Sequence, residues 1–425
     1  MTSLSSRLDR RSANVLAAAL LAVAVVAYTW ATWQYFTKPV PGGNDFLARY
    51  TAFTAYFRLG LNPYSEAATL YTQQAIYGRA ALPGEDLQRL TYPFYSVLVF
   101  GPFIVLDYAV ARAIWMTLLQ AAVVAGVALT LGGLRWRPSV KVLALLVAWA
   151  LLDYPQSRGV ILGQVAILGF LSLAGTLWLL ARGRDGWAGM VLVLATVKPT
   201  LVFLVVPYLL LWAVVRRRWR FVAGFAGLLA ALCAVSFAVL PTWLGDFAAR
   251  VAQYPGYTVG QSPVWVLTHE WVPRLGVVFE WTLTALCVGW LLWAWWLALG
   301  RRPESRAEFF WALGVTLVVS NLIVPRSATT NYVLQLVPLL WAFALLDGRG
   351  RTGRWLMAGV MAVAVVGQWW LHLATVVGNQ EQSILFFPWP VALGLLLIFG
   401  RRWLLREAEA RDRQLDASGP ALQLP

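Results

Sequence analysis

Long apolar runs separated by short clusters of arginine and lysine set the pattern of this chain. The first run covers residues 15–36, and others follow at approximately 109–134, 140–153, 160–181, 187–215, 221–240, 276–300, 308–324, 331–346, 355–376 and 384–400. A helix needs about 20 apolar residues to cross the hydrocarbon core, so the pattern predicts a bundle of membrane-spanning helices. Two runs depart from it. The stretch 92–106 is short and interrupted by Pro93 and Pro102, which predicts a dip into the membrane without crossing. The run 187–215 is too long for one comfortable span and carries Lys198-Pro199 near its middle. Proline removes a backbone donor, so a hairpin of two short helices with Lys198 at its turn is expected.

The basic clusters sharpen the topology. Arg135/Arg137/Lys141, Arg182/Arg184, Arg216 to Arg218 with Arg220, Arg301/Arg302/Arg306, Arg349/Arg351/Arg354 and Arg401/Arg402/Arg406 all fall between runs. They share one face, cytoplasmic by the positive-inside rule, only if 92–106 does not cross and 187–215 enters and leaves on the same side. The cations left on the outer face oppose that rule and are the better functional candidates: Lys38, Arg49, Arg58, Arg79, Arg89, Arg112, Arg158, Lys198, Arg250, Arg274 and Arg326.

Composition excludes a soluble globular protein: of 425 residues, 60% are hydrophobic and 12% charged. The net charge of +15 follows the clusters between runs, so nucleic acid is not an expected partner. Cys233 and Cys287 lie in apolar stretches without metal-ligand spacing. The first run is too long for a signal-peptide core and reads as a retained helix. The expected fold is all-α, a polytopic transmembrane helical bundle of about 11 to 13 membrane segments, forming one domain over 1–425. Its outer loops are 37–108, with interfacial helices, and 241–273, while 407–425 reads as a disordered cytoplasmic tail.

Candidate chemistry concentrates in 42–64, just beyond the first run. Asp45 and Arg49 are four residues apart and share a face if the segment is helical, with Phe46, Tyr50, Phe53, Tyr56 and Phe57 around them. That suits an interfacial helix presenting a charged pair to a polar-headed lipid. Asp45 reads either as a base or, with Asn44, as a helix N-cap. Lys198 is either a functional intramembrane cation or one that snorkels to the interface. Asp153, Tyr154 and Arg158 occupy a short outer turn where they can pair with one another, and His372 can bond a neighbouring helix. The second outer loop holds Asp246, Tyr254, Tyr257, Gln261, His269 and Glu270 and reads as a lid or acceptor-side wall. With no glycine-rich phosphate loop and no Ser/His/Asp or His/Cys motif, one outer carboxylate among cations fits a displacement: the base takes a hydroxyl proton while cations stabilise a departing phosphate.

Asn44-Asp45-Phe46 followed by Tyr50, Gly60 and Asn62-Pro63-Tyr64, then Tyr92-Pro93, Gly163-Gln164, Lys198-Pro199 and the basic run at 216–220, resembles glycosyltransferase family 87 over roughly residues 40–345. That family contains polyprenyl-phosphate-mannose-dependent mannosyltransferases of phosphatidylinositol-mannoside synthesis and has the GT-C fold. The resemblance implies inverting, metal-independent transfer, with no cofactor, at the outer face of the cell membrane. A mannose-like hexose or arabinofuranose would pass from a polyprenyl-phosphate donor to a lipid or glycan acceptor. Asp45 would be the base and Lys198 would sit near the donor phosphate. Asn44, Arg49, Arg58, Tyr64, His269 and Arg326 are the further substrate-binding candidates. Members often carry a Ser-Pro followed by His where this chain reads Val324-Pro325-Arg326-Ser327, so Arg326 is either the replacement cation or an interface anchor. A transporter or lipid flippase is the rival reading, although no internal repeat is evident.

Overall fold

The computed structural model describes residues 2–256, 262–274, 276–300, 305–325, 327–378 and 381–417. In chain order the helices are α1 (Thr2–Thr32), α2 (Asn44–Leu59), α3 (Glu66–Tyr77), α4 (Val97–Phe100), α5 (Tyr108–Gly133), α6 (Val140–Leu152), α7 (Tyr154–Leu162), α8 (Ala166–Leu180), α9 (Asp185–Val193) and α10 (Pro199–Val202). They continue as α11 (Val205–Val215), α12 (Trp219–Val239), α13 (Trp243–Gln253), α14 (Pro263–Trp265), α15 (Gly276–Gly300), α16 (Arg306–Ile323), α17 (Leu336–Asp347), α18 (Gly350–Thr375), α19 (Pro388–Phe399) and α20 (Arg401–Ala417). Among the described residues, seven helices are long and apolar enough to cross a membrane, and shorter apolar helices such as α6, α8 and α11 pack with them. The expectation of a helical membrane protein therefore holds at that level.

Helix ends follow local chemistry. Ser139 and Ser305 accept from the backbone N–H three residues on, capping α6 and α16, and Asp107 caps α5. The centre of the bundle is α16 with the 3-10 turn Thr329–Gln335 and α17, whose leucines, valines and aromatics are buried. By contrast α1, α12, α15 and α18 present most of their apolar side chains outward, as lipid-facing helices do.

One face gathers the basic clusters. Trp136 donates to Asp347 at 2.9 Å, Arg306 to the Gly133 carbonyl, and Arg411 to the Leu134 carbonyl at 3.2 Å. Arg218 pairs with Asp185 at 2.9 Å, so the strand of chain that begins α9 and the one that follows α11 lie side by side. The segment 187–215 is thus a hairpin that enters and leaves on the basic face, with Lys198 toward its far end. At the opposite face, Thr37 donates to the Ala109 carbonyl at 2.6 Å and Tyr50 to the Leu106 carbonyl at 2.7 Å. The whole of 37–108, including the 94–105 turns, therefore starts and ends on one side.

The first limb of the hairpin is fixed by close helix contact. A Cβ placed on Gly189 of α9 would lie 2.1 Å from the Phe221 carbonyl of α12, and one on Gly224 equally close to the Gly186 carbonyl. Small residues on both helices let the backbones touch, the usual solution where lipid offers no hydrophobic drive between helices.

One expectation changes. Residues 407–417 continue α20, where Arg349 pairs with Glu407 at 2.6 Å and Arg306 with Asp412 at 3.9 Å; residues 418–425 of the expected tail lie outside the described residues. Those partners come from other helices and could not be read locally.

Candidate active site

Asp45 stands in the first turn of α2, and its place is set from below. The Tyr108 hydroxyl donates to the Gly42 and Gly43 carbonyls at 2.6 and 3.2 Å. Arg112, buried in α5, donates to the carbonyls of Val40 (2.7 Å), Pro41 (2.6 Å) and Ile161 (3.0 Å). A cation from the bundle thus ties the chain entering α2 to the end of α7. The helix cap is Gly43, without a side-chain cap bond, so neither Asn44 nor Asp45 fills that role. Asp45 in the first turn does complement the helix dipole.

Arg49 grips Asp45 through one nitrogen, which donates to its carbonyl at 2.9 Å and its carboxylate at 3.4 Å. The same guanidinium stacks 4.5 Å over the Tyr92 ring. Asp86 and Tyr254 are close enough to act on Arg49 electrostatically, so the segments 37–108 and 241–273 meet here. Burial raises the Tyr254 phenol well above its ordinary pKa, the charge on Asp86 adding to the shift and Arg49 opposing it; the phenol stays protonated and can donate.

Lys198 sits at the break between the 3-10 turn Leu194–Val197 and α10. Its buried ammonium donates to Gln164 Oε1 at 2.9 Å and Asn331 Oδ1 at 2.7 Å. The charges of Asp45 and Arg49 both reach it. Gly163 explains how Gln164 comes so near α2: its φ is +76°, and a Cβ there would lie 2.5 Å from Cβ of Phe46, the neighbour of Asp45. Two neutral oxygens on an ammonium with three protons leave one N–H for another acceptor, an arrangement that suits an anion.

The other expected residues lie elsewhere. Arg58 is about 20 Å along α2 from Asp45 by helical rise and donates to the Ile104 carbonyl at 2.5 Å. Tyr64 is buried, donates to the Tyr92 carbonyl at 2.7 Å and offers its own carbonyl to Arg250, while Asn62 donates to Asp246 at 2.8 Å. The Asn-Pro-Tyr motif therefore latches the segment 241–273 to 37–108. His269 stacks on Trp265 at 4.9 Å, bonds Thr268 and lies 3.7 Å from Glu280. Arg326, with Tyr257, Gln261, Arg301 and Arg302, lies outside the described residues. Asp153 accepts from the Tyr154 backbone and also bonds Trp389 and Gln368, whereas Tyr154 lies with its ring centroid 5.9 Å beneath the Arg158 guanidinium and reaches His372 and Glu381. Asp86, Asn331 and Glu381 were not anticipated as partners, and of these only Asn331, an amide opening an apolar run, carried a local signal; Arg112, expected as a functional cation, serves backbone carbonyls instead.

A helical bundle with lipid-facing flanks and a charged cluster gathered by the segments 37–108 and 241–273 defines a polytopic membrane protein with a polar site at one face. The chain belongs to glycosyltransferase family 87, whose family model matches residues 90–325, more than half of its length. It is therefore a membrane glycosyltransferase. The matched stretch includes Tyr92, Gln164 and Lys198 and stops short of Asp45 and Arg49 on one side and Asn331 on the other. Neither the curated proteins nor the solved structures gave a match.

Proposed function

We propose that this enzyme moves a sugar, a mannose-like hexose or arabinofuranose, from a polyprenyl-phosphate donor to a hydroxyl of a lipid or glycan acceptor at the extracytoplasmic face of the cell membrane. Asp45 takes the proton from the acceptor hydroxyl. The freed oxygen attacks the anomeric carbon from the side opposite the phosphate. The bond from that carbon to the phosphate oxygen breaks, and polyprenyl phosphate leaves with the electron pair, so configuration inverts. The third proton of Lys198 meets the charge that develops on the phosphate. Arg49 holds the carboxylate in place. The membrane delivers the donor laterally, which accounts for a sequence without a nucleotide motif.

What supports this reading is the meeting of two separate stretches of chain: α2, with Asp45 and Arg49, packs through Phe46 against Gly163, whose neighbour Gln164 accepts from the Lys198 ammonium. The test is transfer of radiolabelled sugar from a defined polyprenyl-phosphate donor by purified protein in lipid nanodiscs. Loss of transfer in Asp45→Asn with folding retained is expected; an unchanged rate removes Asp45 as the base.

A further inference from the structure

Glu381 lies in the connection between α18 and α19, in a part of the chain beyond the matched residues. Four side chains converge on it or its immediate partners. Tyr154 of α7 donates to its Oε1 at 2.8 Å, and Arg158, one turn further on, approaches the same oxygen at 3.7 Å. Thr329, at the start of the 3-10 turn Thr329–Gln335, donates to that oxygen too. His372 of α18 meets the Tyr154 hydroxyl at 3.1 Å. The carboxylate side chain is only 10% exposed, so its bonds are made away from bulk water.

The two segments it holds are the two that hold Lys198. The α7 helix ends at Gly163 and delivers Gln164, and the 3-10 turn presents Asn331 two residues after Thr329. We propose that Glu381 is a positioning residue for Lys198. By pinning α7 and the 3-10 turn to each other, it keeps the Gln164 and Asn331 oxygens at the spacing that aims the ammonium at the reacting phosphate. This rests on the reading of Lys198 as the phosphate-facing cation. The Glu381 carboxylate touches no reacting atom; it acts through Asn331 and Gln164, and its loss lets the ammonium swing between alternative acceptors.

The experiment uses the full chain in nanodiscs with two readouts, sugar transfer and acetylation of Lys198 by acetic anhydride measured by mass spectrometry. Glu381→Ala is expected to lower kcat by roughly 10-fold or more while KM moves by less than about 2-fold, and Glu381→Gln to recover much of the loss because its amide oxygen still accepts from Tyr154 and Thr329. In an Asn331→Ala background, Glu381→Ala should add almost nothing, since both changes remove one interaction. Lys198 acetylation should rise at least about 3-fold in Glu381→Ala and stay unchanged in Glu85→Ala, a surface carboxylate on a different loop. Independent, multiplying losses in the double variant, or unchanged acetylation, overturn the proposal. Absence of transfer by the unmodified protein would instead count against the catalytic reading, and the acetylation comparison would still decide the role of Glu381.

Discussion

The ammonium of Lys198 and the amide oxygen of Asn331 meet at 2.7 Å although 133 residues separate them in the chain. An ammonium held by neutral oxygens keeps its full charge for a ligand, whereas a carboxylate at the same place would neutralise it. Asn331→Asp is therefore expected to keep or raise thermal stability while lowering transfer by about 10-fold or more, mainly through a weaker KM for the phosphate donor. Thermal unfolding and steady-state kinetics on the same preparation check it; a variant with unaltered donor KM would mean that Lys198 does not face the phosphate.

Arg49 makes a second test possible next to Asp45. Its guanidinium serves the Asp45 carbonyl, the carboxylate and the Tyr92 ring at once. A lysine keeps the charge and a nitrogen that can donate to two oxygens, but it is shorter and has no planar face to stack on Tyr92. Arg49→Lys should cost about 10-fold to 100-fold in kcat, less than the roughly 100-fold to 10,000-fold expected for removing the base itself in Asp45→Asn. Equal losses in the two variants would assign Arg49 a direct part in the chemistry.

The latch between the segments 37–108 and 241–273 is open to measurement without any substrate. Asn62 Nδ2 and Thr242 Oγ1 both donate to Asp246, and Arg250 bonds the Tyr64 carbonyl. Asn62→Ala removes one of these contacts at a partly exposed site, at a cost of about 0.5 to 1.5 kcal/mol. Hydrogen exchange across 243–253 should quicken in the variant, with exchange in α16 unchanged. Uniform quickening would show that the change loosens the whole fold and not the latch.

The hairpin that carries Lys198 predicts a steric result. A Cβ on Gly189 would lie 2.1 Å from the Phe221 carbonyl oxygen, so no side chain fits there. Gly189→Leu must separate α9 from α12, and destabilisation of about 3 kcal/mol or more is expected. Gly227→Leu, one helical turn from Gly224 with no atom near its would-be Cβ, is the matched control and should leave the melting temperature within a few degrees. Similar melting curves for both variants would place α9 and α12 further apart than described.

Much of this architecture was legible in the pattern of apolar runs and arginines, because lipid forces whole helices and charge asymmetry marks their ends. The hairpin around Lys198-Pro199 followed from a proline and from parity alone. Parts of the site did not. Asn331 and Gln164 matter through bonds formed between distant segments, and nothing near them in sequence names Lys198 as the partner. Arg112 looked like a functional outer cation and instead serves three backbone carbonyls, since a buried guanidinium satisfies donors wherever acceptors lie. Residues 407–417 looked disordered because their ion-pair partners lie on other helices.

Lys198 itself supplies the most discriminating substitution. If charge alone mattered at this position, Lys198→Arg would preserve transfer. The side chain, however, is buried at a helix break, and its nitrogen reaches Gln164 and Asn331 from one compact point. A guanidinium spreads five donors over a rigid plane, so it can meet two fixed oxygens only by shifting them or by leaving donors unpaired. Each unpaired buried donor costs about 1 to 3 kcal/mol. Lys198→Arg is thus expected to lose about 10-fold or more in kcat and to melt lower than Lys198→Met, which fills the volume without demanding partners. Single-turnover rates with saturating donor, read beside the melting temperatures, separate the two effects. An arginine variant as fast as the parent would reduce this position to a site of general positive potential, and the paired oxygens would lose their directing role.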